Sequence, residues 1–328
     1  MSKENNVKLV VRSKNPCVKF LSENLGILAA FVVICGIVAV LSPVFLSVDN
    51  VLSVGRQIST NAVLALGMAI VIITGGIDLS VGAVVALSGT LCVGFINNGI
   101  PIPVSIIVCV GIGVLVGLIN GIIIAKTGMA PFIVTMSTMS ISRGIAYLYS
   151  GGLPLRCMRD DFAVLGTGYF GPIPLPIIYL LILTLVVWLL LSRAKFGTYV
   201  YALGGNREAA KYSGIPTVKI EVIVYTISGF LSGFAGVILA ARMFSGQPSV
   251  QQGAEMDAIA ACVLGGVSMS GGMGKIGGTM IGALIIGVIS NGLNLLNVNS
   301  FVSNIVKGVI VLIAVYIDIL KKNKLMKG

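Results

Sequence analysis

The chain has 328 residues, of which 56% are hydrophobic and only 10% are charged, and its mean hydropathy is +1.05. A soluble domain carries roughly a quarter charged residues, so this composition excludes an ordinary soluble globular protein. The net charge is +11 and histidine is absent, which excludes a Ser–His catalytic pair and a histidine-ligated metal.

Apolar runs of about 18 residues or more alternate with short charged segments along the chain. Each run is long enough to cross the hydrocarbon core of a bilayer as a helix, the conformation that satisfies its own backbone hydrogen bonds there. We therefore predict an all-α, polytopic membrane bundle of about ten transmembrane helices. The eighth is short and rich in glycine, which indicates a broken or re-entrant span. In chain order the predicted spans are 25–42, 57–74, 80–97, 103–125, 132–149, 175–192, 218–241, 256–270, 276–296 and 301–320.

The distribution of basic residues predicts the orientation of these spans. Sixteen of the 22 Lys and Arg residues fall in segments on the side of the amino terminus, and four fall on the other side. Because basic loops remain in the cytoplasm, both termini are predicted to be cytoplasmic. The chain then divides into a basic cytoplasmic tail at 1–20, a transmembrane domain at 21–320 with a cytoplasmic loop at 193–217, and a second basic tail at 321–328.

An acidic residue, Asp78, stands between the second and third predicted spans. An acid at this depth is costly unless it is paired, hydrated or capping a helix. We predict that Asp78 is the N-cap of the third span, with a place on a transport pathway as the alternative. The surrounding motif at 75–82 matches 265–272 in chemical class, which leaves open an internal repeat or two similar glycine-rich helix junctions.

Glycine recurs at every fourth residue in the fourth span, at Gly113, Gly117 and Gly121. Helices in lipid associate through close backbone contact, so this stripe predicts tight helix packing and not a cargo site. Three asparagines are predicted to hydrogen-bond between helices, with a place on the transport pathway as the alternative: Asn120, Asn291 and Asn294.

The fifth span contains a basic residue, Arg143, about seven residues and roughly 10 Å of helix before Gly151. Its guanidinium either reaches outward to water or pairs inside the bundle, with Asp257 or Glu255 of the eighth span as candidate partners. Lys307 of the tenth span is expected to reach water or to pair in the same way.

The loop at 193–217 carries the signals of a short helix outside the membrane. They are an N-capping residue, an acid in the first turn, a base in the last turn, a glycine suited to the left-handed conformation and a proline that ends the helix: Asn206, Glu208, Lys211, Gly214 and Pro216. A plain connection needs no such caps around two turns. We predict a docking helix for a cytoplasmic partner over Asn206–Gly214, with an amphipathic turn at the membrane surface as the alternative.

The glycine-rich stretch Gly271–Ile276 is not a phosphate-binding loop. That motif requires G-x-x-x-x-G-K-[ST], and here Met269 occupies the first glycine position and Ile276 replaces the hydroxyl residue. The stretch also lies between two membrane spans and not between a strand and a helix. We therefore predict that the chain has no ATPase, no catalytic residues, no metal site and no cofactor.

Several motifs of the chain resemble the ribose-type ABC permeases, the membrane subunits of monosaccharide importers. The similarity is strongest in Tyr199-Val200-Tyr201-Ala202-Leu203-Gly204-Gly205-Asn206, followed by Ala209-Ala210 and Ser213-Gly214-Ile215. Other stretches with this resemblance are 74–82, 247–248, 255–261, 263–266, 277–284 and 291–296. The similarity extends from about Leu25 to Asp318.

The resemblance implies the permease subunit of an importer in the cytoplasmic (inner) membrane, with a ribose-like monosaccharide as cargo. It also implies a homodimer with a second permease copy, separate cytoplasmic ABC ATPase subunits, an extracytoplasmic sugar-binding protein and surrounding membrane lipid, with no nucleic acid. The ATPase-coupling residues that it implies are Gly205, Asn206, Glu208, Ala209, Ala210, Ser213 and Gly214.

Two other functions stay open on the sequence alone. The same architecture would suit a nucleoside, a signalling sugar derivative or a branched-chain amino acid as cargo. An ion-coupled secondary transporter is less favoured, because such carriers use acids inside the membrane and this chain offers few.

Overall fold

The computed structural model describes residues 16–327. The helices in this range are α1 (Pro16–Leu41), α2 (Val48–Ile73), α3 (Val81–Asn97), α4 (Ile102–Thr127), α5 (Pro131–Ser150), α6 (Asp160–Thr167), α7 (Leu175–Ser192), α8 (Lys195–Gly205), α9 (Arg207–Tyr212), α10 (Thr217–Met243), α11 (Ala254–Leu264), α12 (Ile276–Leu295) and α13 (Ser300–Lys327). Short antiparallel strands form two pairs, β1 (Leu155–Arg156) with β4 (Ser245–Gly246) and β2 (Tyr169–Phe170) with β3 (Ile173–Pro174).

Ten of these helices follow the ten predicted spans in order, namely α1–α5, α7 and α10–α13. Within residues 16–327, five helices are long and apolar enough to cross a bilayer by length and composition alone: α2, α4, α7, α10 and α12. The fold is therefore a polytopic helical membrane bundle. Residues 1–15 of the predicted amino-terminal tail lie outside the described residues, and residues 16–20 belong to α1. Residues 321–327 of the predicted carboxy-terminal tail belong to α13.

The eighth predicted span, 256–270, is much shorter as a helix. α11 has 11 residues, which is about 16 Å at 1.5 Å per residue, whereas a bilayer core is about 30 Å thick. It begins after Gly253, which has a φ of +82°, and the loop that follows it contains Gly266 with a φ of +81°. The span is broken, and its glycines allow the sharp turns at both ends.

Two predicted loops contain helices that the sequence did not indicate. The loop at 193–217 holds both α8 and α9, where one helix was predicted. α8 is held in place by residues buried against the bundle, among them Val200 and Leu203. Because a helix this short is marginal by itself, it depends on that tertiary contact. The loop after α5, which was predicted to be an outer loop, contains α6 and most of the strand residues.

α4 and α10 contact each other backbone to backbone. A Cβ at Gly113 would lie 2.5 Å from the carbonyl oxygen of Gly229, and a Cβ at Gly117 would collide with the Tyr225 carbonyl oxygen. No side chain fits at these positions, which explains the glycine at every fourth residue. The predicted use of this stripe in tight helix packing is confirmed.

The helices run between two ends of the bundle. One end carries the strands and α6, and we call it the strand end. The other carries α8 and α9, and we call it the α9 end. α2 runs from the strand end, where Arg242 Nη1 donates to the Arg56 carbonyl at 3.0 Å, to the α9 end, where the Gly272 N–H donates to the Ile73 carbonyl at 2.8 Å.

Candidate functional site

α9 is the short capped helix that the sequence predicted. Asn206 Oδ1 accepts a hydrogen bond from the Ala209 N–H at 2.9 Å. Glu208 lies in the first turn and Lys211 in the last, where each charge complements the helix dipole. Gly214 follows with a φ of +80°, a conformation that favours glycine. The caps therefore located this helix to within two residues at each end.

The exposed face of α9 differs from the predicted docking surface at Ala210. This residue is 4% exposed, so its side chain is not available to a partner. Tyr212 is 86% exposed, and sequence reasoning missed it, although aromatic residues are enriched at the cores of protein interfaces. The predicted coupling residues that are exposed are Gly205, Asn206, Glu208, Ala209, Ser213 and Gly214.

α9 is tied to α10 by an ion pair that the sequence did not indicate. Arg207 Nη1 and Nη2 donate to Glu221 Oε1 and Oε2 at 2.8 and 2.6 Å. Glu221 is 5% exposed, whereas 45% of the Arg207 side chain is exposed. The hydrogen bonds to Glu221 raise the pKa of Arg207 above its ordinary value, so this guanidinium stays charged at physiological pH. A displacement of α9 would act on α10 through this pair.

α8 contacts the end of α2 and the loop before α12 through close backbone approaches. A Cβ at Gly204 would collide with the Ile73 carbonyl oxygen and would lie 2.6 Å from the Gly272 nitrogen. Tyr201 Oη donates to the Gly274 carbonyl at 2.8 Å. α8, the end of α2 and the loop before α12 therefore form one closely fitted unit at the α9 end.

The two similar motifs at 75–82 and 265–272 are both helix junctions, and their glycines Gly75 and Gly271 approach each other at the α9 end. Each begins with a glycine pair that contains a residue of positive φ, +84° at Gly75 and +81° at Gly266. A Cβ at Gly271 would lie only 3.1 Å from the Gly75 nitrogen. The two glycine-rich turns fit against each other at Gly75 and Gly271.

Asp78 belongs to a buried polar cluster where α3, α4 and α10 meet. The predicted N-cap is corrected, because Ser80 holds that position and Asp78 Oδ1 accepts its N–H and Oγ–H at 3.0 and 2.6 Å. Asp78 Oδ2 accepts a hydrogen bond from Ser228 Oγ at 2.7 Å, and Asn120 Nδ2 donates to Ser80 Oγ at 3.1 Å. Asn120 Oδ1 and Tyr225 Oη have no hydrogen-bond partner among the described residues. The cluster links three helices.

Arg143 hydrogen-bonds to backbone carbonyls, and of the two predicted acids Glu255 lies close enough to interact with it electrostatically. Arg143 Nη1 donates to the backbone carbonyls of Pro248 and Val250, both at 2.7 Å. Asp257 pairs instead with Lys307, whose Nζ lies 2.8 Å from Asp257 Oδ2, so the predicted pairing of Lys307 is confirmed. The physical reason is the break before α11, where carbonyls outside any helix need donors.

The asparagines differ in their use. Asn291 and Asn50 exchange two amide hydrogen bonds between α12 and α2, at 3.0 and 3.2 Å. This is the interhelical bonding predicted for Asn291, and Asn120 in the polar cluster also bonds between helices. Asn294 is exposed. In the part of the chain that the structure describes, no three His, Cys, Asp or Glu side chains lie close enough together to hold a metal ion.

The sequence is closely similar to known transport proteins. Residues 50–315 match the family described as branched-chain amino acid transport system / permease component. The ribose import permease protein RbsC of Bacillus subtilis is 46% identical over 298 residues, which are 90% of this chain and 92% of that protein. RbsC of Haemophilus influenzae is 45% identical over 304 residues, 92% of this chain and 94% of that protein. The L-arabinose transport system permease protein AraH of Escherichia coli is 38% identical over 296 residues, 90% of each chain.

A helical membrane bundle with this similarity is a transport permease, and the chain belongs to the family of branched-chain amino acid transport system permease components. Within that family, the resemblance to the ribose-type ABC permeases is confirmed by the two RbsC proteins, which match about nine tenths of the chain. No solved structure matches the chain significantly.

Proposed function

We propose that the chain is the non-catalytic membrane subunit of an ABC importer that moves ribose, or a closely similar monosaccharide, across the cytoplasmic membrane. The observation that carries this proposal is the 46% identity to the ribose import permease of B. subtilis over 90% of this chain. Identity to the L-arabinose permease of E. coli is lower, at 38%, which favours ribose as the first sugar to test.

A branched-chain amino acid is the second candidate cargo, because the description of the family names that class of solute. Uptake into proteoliposomes that contain the permease, its ATPase and its binding protein separates the two. We expect ATP-dependent uptake of labelled ribose that excess unlabelled ribose blocks and excess leucine does not. Uptake of leucine without uptake of any sugar would refute the proposed cargo.

The α9 end is proposed to face the cytoplasm. The basic excess of the segments at that end supports this orientation. Lys195 at the start of α8 and Arg159 beside α6 are both exposed, so each can be replaced by cysteine in a chain whose own cysteines have been removed. In intact cells, an impermeant thiol reagent should label position 159 and not position 195. The reverse labelling would overturn the orientation.

The separate ATPase subunit is proposed to bind the exposed face of α9. Tyr212 is 86% exposed there, and it stands on a helix that is capped independently of any partner. We expect Tyr212→Ala to weaken ATPase co-purification and uptake while the permease still inserts and folds. Phe170→Ala is the matched control, since Phe170 is an aromatic residue with 74% exposure at the strand end. Equal ATPase binding by both variants would argue against α9 as the docking helix.

The same contacts suggest how ATPase movement reaches the membrane. Closure of the ATPases would displace α9, and the Arg207–Glu221 pair would carry that displacement to α10. The backbone contact of Gly204 with Ile73 would carry it from α8 to α2. A second permease copy and an extracytoplasmic sugar-binding protein at the strand end complete the proposed importer.

A further inference from the structure

A buried side chain of α10 and one of α4 each carry a polar atom that has no hydrogen-bond partner among the described residues. They are Tyr225, through its hydroxyl oxygen Oη, and Asn120, through its amide oxygen Oδ1. Both residues are 0% exposed, and a buried polar group without a partner is costly. A hydroxyl is a donor and an amide oxygen is an acceptor, so the two unpaired groups are complementary.

The orientation of the Asn120 amide follows from its neighbours. Ser80 Oγ donates its hydrogen to Asp78 Oδ1 at 2.6 Å, so towards Asn120 it can only accept. Asn120 Nδ2 is the donor of that bond, at 3.1 Å. The amide oxygen of Asn120 is therefore the atom left over, and it needs a donor from elsewhere.

Tyr225 and Asn120 stand at the same level of the contact between α4 and α10. A Cβ at Gly121, the residue after Asn120, would lie 3.3 Å from Tyr225 Cβ. A Cβ at Gly117, about one turn before Asn120, would collide with the Tyr225 carbonyl oxygen. The unpaired donor and the unpaired acceptor thus belong to neighbouring positions on two helices that contact each other.

Both side chains also reach the junction between α2 and α3. Asn120 bonds to Ser80, and a Cβ at Gly76 would collide with Tyr225 Oη, so the hydroxyl ends against the backbone of the junction. Tyr225 is also close enough to Asp78 for the two to interact electrostatically. The junction therefore separates a donor on α10 from an acceptor on α4.

One side of α10 connects this junction with α9. Glu221, Tyr225 and Ser228 follow one another at intervals of four and three residues, which places them on the same side of the helix. Glu221 is bonded to Arg207 of α9, and Ser228 Oγ donates to Asp78 Oδ2 at 2.7 Å. A pull on the Arg207–Glu221 pair acts on the side of α10 that carries Tyr225.

The contact between α4 and α10 suits a sliding movement. Gly113 and Gly117 of α4 meet Gly229 of α10 backbone to backbone. Helices are locked against each other by ridges of side chains that fit into grooves, and these glycines present no such ridges. α10 can therefore shift along α4 without side chains that must first be separated.

We propose that Tyr225 is a positioning residue of the transport cycle, whose hydroxyl donates a hydrogen bond to Asn120 Oδ1 in the ATP-bound arrangement. This inference rests on the proposed function. Displacement of α9 by closure of the ATPases would reach α10 through Arg207 and Glu221, and the shift of α10 would bring donor and acceptor together. The bond would exist in that arrangement alone, so it would stabilise the ATP-bound arrangement over the present one.

Tyr225→Phe tests the proposal, because it removes the hydroxyl and keeps the ring. The hydroxyl is unpaired in this structure, so we expect the melting temperature of the nucleotide-free complex of permease and ATPase to be unchanged. In the complex trapped with ATP and vanadate, the variant should melt at a lower temperature than the parent. Uptake of ribose should fall about fivefold, since one hydrogen bond shifts an equilibrium by roughly that factor.

Tyr201→Phe is the matched control. Tyr201 Oη already donates to the Gly274 carbonyl at 2.8 Å, so this variant should melt at a lower temperature than the parent without nucleotide as well. A lower melting temperature of nucleotide-free Tyr225→Phe would mean that the Tyr225 hydroxyl is bonded there, through a fixed water, and would overturn the switch. A trapped Tyr225→Phe complex as stable as the trapped parent would overturn it too.

A double-mutant cycle with Asn120→Ala identifies the acceptor. Asn120→Ala also removes the bond to Ser80, but the cycle cancels that separate loss. In the trapped complex, we expect Tyr225→Phe to lower the melting temperature when Asn120 is present and to have no effect when Asn120 is replaced. An equal effect in both backgrounds would show that the hydroxyl bonds to another group, and the pairing would be wrong.

Failure of the proposed function would show differently, as a parent complex that imports no sugar. The melting temperatures in the two nucleotide states do not depend on the cargo, so they would still decide whether Tyr225 and Asn120 pair.

Discussion

The ion pair between α9 and α10 allows a quantitative prediction. Arg207→Met removes two hydrogen bonds of 2.8 and 2.6 Å and leaves the Glu221 carboxylate buried, with 5% of the residue exposed. Breaking a fully buried ion pair costs about 3–5 kcal/mol, and breaking an exposed pair costs about 0–1 kcal/mol. Because 45% of the Arg207 side chain is exposed, we expect an intermediate loss of about 2 kcal/mol.

A double-mutant cycle measures this interaction. The unfolding free energy of the purified permease is compared among the parent, Arg207→Met, Glu221→Met and the double variant. We expect the double variant to be more stable than Arg207→Met, since no buried carboxylate is left without its partner. The raised pKa of Arg207 means that its contribution is complete below the ordinary arginine pKa and is lost only as the pH rises through the folded value. Single losses that add to within about 0.5 kcal/mol would refute the coupling.

Three further changes test other contacts. Gly117→Ala should destabilise the bundle by about 1–3 kcal/mol, because its Cβ would collide with the α10 backbone. Gly111→Ala is the control and should be neutral, because a Cβ there would have no neighbouring atom within 4 Å. Equal melting temperatures of the Gly117→Ala and Gly111→Ala variants would contradict the packing argument. Asn291→Leu should cost about 1 kcal/mol, because Asn50 keeps its bond to the Phe45 carbonyl but loses both amide bonds to Asn291. A melting temperature equal to that of the parent would contradict this prediction. Gly204→Ala should reduce uptake and leave ATPase co-purification intact, and normal uptake would count against α8 as a transmitting element.

Much of this fold follows from local features of the sequence. The apolar runs located the helices, because hydrocarbon leaves a backbone few hydrogen-bond partners other than its own. Asn206 and Gly214 located α9, since capping depends only on residues within one or two turns. The short, glycine-rich eighth span was likewise predicted to be broken or re-entrant, and within its bounds Gly266, with a φ of +81°, follows the end of α11.

The partners of the polar side chains depended on the tertiary structure. Arg143 bonds to carbonyls more than 100 residues away, and these carbonyls became available only because the eighth span is broken. Arg207 is only 14 residues from Glu221, yet their contact depends on the angle at which α9 folds back on α10. Ala210 was predicted to lie on the docking surface, and the same angle places it against its own chain.

The helices were predictable and the contacts between them were not, and this difference has a physical cause. A soluble helix shows its buried side as an apolar stripe, but a membrane helix is apolar on all sides, so its sequence carries little information about which side meets a neighbour. The membrane environment therefore made the helices predictable from composition and length. Two kinds of feature decided which residues contact one another. One is the glycine surfaces, such as that of Gly113 and Gly117 on α4, which packs against α10. The other is the few polar groups that must find partners inside the bundle.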